Sequence, residues 1–261
     1  MTMLFGLFHR RRHVHVDIAS ISECGPVRRE NQDHVLVNRR GLVFCVADGM
    51  GGGEGGALAS EIVCREISDV LRRRTDFAER VRLVDDAVVR ADERVRTIAE
   101  AAGYRQMGST ATIFVADPEN GRSAAVGNIG DSRVYRLRGG ELRQLTQDHT
   151  MEREILRHRG GKGHLVLPET RTSILSHLLT RAVGVGTNSR PDWRKVDMCC
   201  GDVFFLCSDG VHGTVAAADL KAALESDGPA KEIVAQVHDL VLKGGAPDNF
   251  SAIVVKIGGR T

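Results

Sequence analysis

The sequence predicts an α+β layered domain. Strand-like runs fill the first fifth and the middle of the chain and recur near its end. Two helix-period runs separate the first two groups, and two more precede the last strand. No repeat at a solenoid period, low-complexity linker or internal boundary interrupts residues 13–261, which read as a single domain. A chain of 261 residues with 42% hydrophobic and 27% charged residues can bury one large core. The net charge of +2 is too small to argue for nucleic acid or an acidic membrane surface.

The elements follow in order. Residues 1–12 place an apolar start before Arg10, Arg11 and Arg12, the reverse of a secretory signal, and read as a disordered or loosely attached segment. Residues 14–22 alternate as a first strand, with His13 and His15 read as a solvated strand edge. After Cys24-Gly25-Pro26 comes a dense polar group, residues 27–33. Residues 35–37, a turn at 38–41 and the apolar run from Val43 then make a hairpin. Leu58, Ile62, Ile67, Val70 and Leu71 recur at helical spacing, with Arg72, Arg73 and Arg74 where cations suit a helix end. Phe77, Val81, Val84, Val88, Ala91, Val95 and Ile98 mark a longer helix that Gly103 stops.

Strands resume over 110–116, 123–126, 132–137 and 141–145, with turns at 117–121 and Gly139-Gly140. Residues 147–179 break the regularity, with Gly160-Gly161-Lys162-Gly163 in the middle, and read as a functional flap, at about 149–179, or a mobile segment. His158 and His164 lie there, but a glycine-rich loop offers nothing to orient metal ligands. Strands over 193–198 and 203–207, helices over 217–225 and 230–243, and a strand over 250–257 complete the chain. No apolar run reaches the roughly 18 residues of a spanning helix, so no transmembrane segment is expected. The six cysteines form no Cys-x-x-Cys pair, and Cys45 and Cys207 sit in apolar runs, which fits a reducing cytoplasm.

The chemistry-bearing stretch is Val43-Phe44-Cys45-Val46-Ala47-Asp48-Gly49-Met50-Gly51, a buried strand ending on a carboxylate with glycines at once behind it. The same grammar returns at Cys207-Ser208-Asp209-Gly210 and, reordered, at Gly127-Asn128-Ile129-Gly130-Asp131-Ser132. A carboxylate beside a free carbonyl suits a hard divalent cation. Any one of Asp33, Asp48, Asp131, Asp209 and Asp248 alone is as well read as an exposed turn residue. If they converge, two carboxylates about 4 Å apart at an effective dielectric near 20 repel by roughly 4 kcal/mol, which cations would relieve. Oxygen-only ligands point to Mg²⁺ or Mn²⁺, and two such ions sharing Asp48 would activate a water for in-line displacement at phosphorus. Arg28 offers a guanidinium whose fork matches two phosphate oxygens.

These residues, in order, carry a resemblance. Arg28, Asn31, Gln32 and Asp33, then residues 46–52, Met107-Gly108-Ser109-Thr110, Gly127 to Arg133, Leu145-Thr146-Gln147-Asp148-His149, Ser208-Asp209-Gly210 and Asp248-Asn249 together resemble the bacterial form of the PP2C (PPM) metal-dependent serine/threonine phosphatases. The resemblance spans about residues 15–257. It implies a four-layer α-β-β-α sandwich, two antiparallel sheets flanked by helix pairs, with metals at one edge between the sheets. It implies that Asp48 bridges two ions and the Gly49 carbonyl binds one, with Asp209 and Asp248 on the other and Asp33 holding metal-bound waters. Asp131 with Asp209 matches a third, weaker metal position, and Arg28 the phosphate-binding arginine.

The implied activity is hydrolysis of phosphoserine and phosphothreonine in proteins by a hydroxide bridging two Mn²⁺ or Mg²⁺ ions. The implied partners are phosphorylated proteins and a cognate kinase, and a monomer is expected. A non-catalytic phosphoprotein-binding member is the alternative, and a lost metal aspartate would mark it. Departures stand out: Gln32 for the usual glutamate, Met50 for a histidine proposed as general acid in eukaryotic members, and Val211-His212-Gly213 after Ser208-Asp209-Gly210. Since Met50 has no proton to give, a metal-bound water would have to protonate the leaving oxygen. The stretch before Leu179-Thr180-Arg181 also lacks the family's His-Pro-x-Arg-Asn.

Overall fold

Alternation inside one strand dictates the layering. In a computed structural model, which describes residues 14–51, 55–72, 75–117, 121–158, 174–186 and 189–260, β3 (Val43–Met50) is buried on both faces up to Ala47. Val43, Cys45 and Ala47 point to one face and pack with helix residues such as Ile62, Val63, Val84 and Val88. Phe44 and Val46 point to the other and meet Phe204, Leu206 and Ile253 of a second sheet. A strand that reads as a continuous apolar run thus lies between two apolar layers.

The first sheet orders its strands β1 (Val14–Glu23), β11 (Phe250–Arg260), β10 (Val203–Cys207), β7 (Arg133–Arg138) and β8 (Glu141–Gln144). The second orders β2 (Asp33–Asn38), β3, β5 (Ala111–Ala116), β6 (Ser123–Ile129) and β9 (Asp192–Asp197), with the short β4 (Gly108–Ser109) beside the end of β3. The pairings between these strands are antiparallel. Helices α1 (Gly55–Val70) and α2 (Phe77–Ala102) cover the outer face of the second sheet. Helices α5 (Ala217–Leu224) and α6 (Ala230–Lys243) cover the first, packing on Phe205, Cys207, Ala252 and Val254. The expected four-layer α-β-β-α sandwich is what forms.

Local chemistry sets the helix ends. Asp76 caps α2 by accepting from the Glu79 N–H at 2.8 Å, and Gly103 ends it at φ +71°, a left-handed conformation that glycine takes without strain. The flap region holds a difference from expectation, because residues 151–158 form a helix, α3 (Met151–His158), rather than irregular chain. Glu152 and Glu154 in its first turn suit the positive helix end, and the glycines that follow masked this short signal in the sequence. A second short helix, α4 (Asp209–His212), begins directly after β10. The expected N-terminal segment 1–12, His13, His164 and the middle of the flap lie outside the described residues.

Phe114 and Phe204 tie the two sheets together, with ring centroids 4.4 Å apart and Phe44 stacked beyond Phe114. Phe204→Ala is expected to cost about 3–5 kcal/mol, read as a fall in the urea midpoint with unchanged slope.

Candidate metal centre

The register of one hairpin starts the site. Asp33 and Asp48 are directly opposed across β2 and β3 at the hairpin's open end, where the two strands leave the sheet. The Gly49 N–H donates to the Gln32 carbonyl at 3.1 Å, which continues the ladder one step past the aspartates. Gly49 has no room for a side chain: a Cβ there would stand 2.1 Å from the Gly56 carbonyl oxygen and 2.5 Å from that of Gln32. The strand end is thereby pressed against the start of α1, with the Gly49 carbonyl close at hand.

Asp48 is fixed through its backbone. Its N–H donates to Thr110 Oγ1 at 2.9 Å, and its carbonyl accepts from the Thr110 N–H at 2.8 Å. The same Thr110 hydroxyl lies 2.8 Å from Ser132 Oγ, next to Asp131. One threonine therefore joins the two loops that carry Asp48 and Asp131. Sequence reasoning placed Thr110 in a motif but gave it no role, because a hydroxyl at a strand start has many uses.

From the other sheet, Asp209 opens α4 and Asp248 precedes β11. Ser208 occupies the N-cap position of α4 without capping it, since its hydroxyl donates to Asp33 Oδ2 at 2.7 Å and accepts from the Ser251 N–H at 2.9 Å. Asn249 accepts from the Gln32 N–H at 3.0 Å and donates to the Cys24 and Glu30 carbonyls at 2.9 and 2.8 Å. This side chain sews the loop bearing Arg28 to the turn bearing Asp248. Arg28 Nη2 reaches Asp248 Oδ2 at 2.7 Å on an exposed rim.

Asp48, Gly49, Asp131, Asp209, Asp248 and Arg28 all line one cavity of about 1060 Å³, while Asp33 lies buried behind Asp48. The electrostatics report the crowding. Burial pushes the Asp33 carboxyl up to about 7, opposed by hydrogen bonds from Ser208 and Ser251 and aided by the charges of Asp209 and Asp248. Asp48 is held well above the usual carboxylate range, first by desolvation and then by Asp33, Asp209, Asp131 and Asp248. As they stand, among the described residues, no three of these side chains are gathered tightly enough to chelate one ion. Asp248 turns to Arg28 and Asp33 to Ser208, as like charges would.

The residues fit a hard divalent cation. The donors are oxygen atoms, and Asp33 Oδ1 is buried with no hydrogen-bond partner among the described residues. The charges that lift Asp48 are those a cation would compensate. Met50 is half-buried on the cavity wall and Gln32 lines it, as does Tyr104, a residue the sequence did not single out. His212, the departure after Asp209, sits at the site: its Nε2 donates to the Asp131 carbonyl at 3.1 Å.

Comparison with known proteins identifies the family. The family model of protein phosphatase 2C matches residues 28–252. The chain is 28% identical over 254 residues to the protein phosphatase PhpP of Streptococcus pneumoniae, across 93% of this chain and 98% of that one. It is similar to the solved structure of PppA, described as a key regulatory component of T6SS in Pseudomonas aeruginosa, with TM-score 0.82, 31% identity, and 94% and 99% of the two chains covered. The catalytic domain of the serine threonine protein phosphatase PstP in complex with two manganese ions superposes at TM-score 0.78 and 29% identity, over 94% and 99% of the two chains. With its matched span running from Arg28 past Asp248 and so enclosing the whole carboxylate cluster, this chain belongs to the protein phosphatase 2C family.

Proposed function

We propose that this protein hydrolyses phosphoserine and phosphothreonine in proteins, using two bound Mn²⁺ or Mg²⁺ ions and a third at a weaker position, and so reverses a serine/threonine kinase. The observation that supports it most is the delivery of four aspartates from separate segments of two sheets to one cavity, with a fifth behind them and an arginine at the rim. The PstP structure with two manganese ions supports the metal count. Retention of all five aspartates speaks against a non-catalytic member.

In this reading Asp48 and the Gly49 carbonyl hold the ions together with Asp209 and Asp248. Asp33, buried behind them, accepts from ordered water through its unpartnered Oδ1. Asp131 with Asp209 forms the weaker position. When bound, the ions supply an activated water and mask the charge on the phosphoryl oxygens. Arg28 spends one Nη2–H on Asp248, which leaves other guanidinium N–H groups to take phosphoryl oxygens in fork geometry. Met50 carries no transferable proton, so the departing serine or threonine oxygen takes its proton from water. A monomer in a reducing cytoplasm completes the proposal, in keeping with six free thiols, two of them on the exposed turn at Cys199 and Cys200. No helix among the described residues is long and apolar enough to cross a membrane.

Purified protein should release phosphate from a phosphothreonine peptide with Mn²⁺ and stop when a chelator is added; turnover that survives metal removal would refute the mechanism. Asp48→Asn and Asp209→Asn should each bring turnover to background in a phosphate-release assay. Arg28→Ala should raise KM about 10- to 100-fold, the worth of a charge-assisted bond, with a smaller change in kcat. An unchanged KM would remove Arg28 from the phosphate site. Met50→Ala should leave kcat close to that of the parent, since no proton passes through it.

A further inference from the structure

The run Leu145-Thr146-Gln147-Asp148-His149 ends on a buried histidine that is not among the residues lining the cavity. Its side chain is 7% exposed, and Nδ1 lies 3.0 Å from the Gly130 nitrogen. A backbone N–H only donates, so Nδ1 presents its lone pair and the ring proton sits on Nε2. Nε2 then donates to Asp192 Oδ2 at 3.0 Å. Arg181 Nη1 also lies 3.0 Å from Nε2, but both groups are donors. They converge on one carboxylate, with Arg181 bonded to Asp192 Oδ1 at 2.8 Å. Burial, followed by the Arg181 charge, holds the imidazole below its usual pKa, in keeping with the neutral tautomer.

The main chain of His149 works in the same place. Its N–H donates to the Gly130 carbonyl at 2.9 Å, so this one residue grips Gly130 at both its N–H and its C=O, in the two peptide groups that flank its Cα. Gly130 has φ +104°, and a Cβ there would stand 2.5 Å from Thr110 Cγ2, so the turn into Asp131 is open to glycine alone. The His149 carbonyl accepts from the Thr180 N–H at 2.8 Å, and Thr150 pairs with Leu179 in an antiparallel bridge. Leu178 and Leu179 line the same cavity as Asp48, Asp131, Asp209 and Asp248.

We propose that His149 is a positioning residue: the Nδ1 lone pair fixes the Gly130 peptide and thereby aims Asp131 into the cavity, while the backbone of the same residue hangs the Leu178–Leu179 wall on that point. The proposal rests on the reading of Asp131 as a ligand of the weaker metal position. Two substitutions separate the ring's two bonds. In His149→Asn, Oδ1 falls near the place of Nδ1 and keeps the acceptor for Gly130. In His149→Gln, Nε2 falls near the place of the ring Nε2 and keeps the donor to Asp192 but loses that acceptor.

The test is calorimetric titration of the purified chain with Mn²⁺, joined to hydrogen exchange of the Gly130 amide measured without metal, with thermal unfolding of both variants as a check on the fold. The weakest Mn²⁺ step should loosen about 10-fold in His149→Gln, the scale of losses on removing a group that orients a ligand, and the tighter steps should hold. In His149→Asn all steps and the Gly130 protection should stay near those of the parent, and His149→Gln should exchange faster at Gly130. Equal Gly130 protection in the two variants, or equal loss of the weak step in both, would overturn the proposal. Failure of the Asp131 reading shows separately, as a parent chain without a weak step; the Gly130 exchange pattern then upholds or refutes the tether by itself.

Discussion

Everything in this fold answers to a repulsion. Asp33 and Asp48 face each other across one hairpin, and Asp131, Asp209 and Asp248 add their charges to the same small volume. Two carboxylates brought to about 4 Å at an effective dielectric near 20 would repel by roughly 4 kcal/mol, comparable with a sizeable share of the stability of a domain. A flexible scaffold would spread such a cluster. Here the carboxylates stand at the ends of strands in two sheets locked face to face by Phe44, Phe114 and Phe204, so the packed core resists the charges. Cations bound there would relieve the repulsion, and their affinity would then be coupled to the rigidity of the sandwich.

Small polar residues transmit that rigidity to the carboxylates. Thr110 joins the Asp48 and Asp131 loops, Ser208 joins Asp33 to β11, and Asn249 joins the Arg28 loop to Asp248. Each bridges segments far apart in sequence, so the site is set by tertiary structure and not by any one loop. His149 and His212 extend the pattern, gripping the backbone on the two sides of the Gly130–Asp131 step.

Much of this was legible in the sequence. The apolar runs at 43–47 and 203–207 announced buried strands because both faces of each are covered, and a continuous run needs no partner to be recognised. The longer helix was marked by its period and by Gly103, whose left-handed cap the structure displays. Asp48, Asp131, Asp209 and Asp248 stood out because each sits beside a glycine or asparagine, whereas Asp33, between Gln32 and His34, was carried only by the polar group that holds Arg28 and Asn31. Two features were hidden for physical reasons. The helix at 151–158 spans barely two turns and is followed by glycines, so its local signal is weak. The contacts of the bridging hydroxyls and of the two histidines were silent, although both histidines stood in noted motifs, because a hydrogen bond across 19 or 22 residues leaves no spacing rule to read.

The central claim is that this cage of oxygen atoms exists to hold a pair of divalent ions. Crystals soaked in Mn²⁺ and measured for anomalous scattering at the manganese edge test it most directly. The account predicts two strong peaks a few ångströms apart, flanking Asp48 and reaching Asp209 and Asp248 on one side and the Gly49 carbonyl on the other. A cavity without anomalous density in crystals that take up Mn²⁺ elsewhere would contradict it.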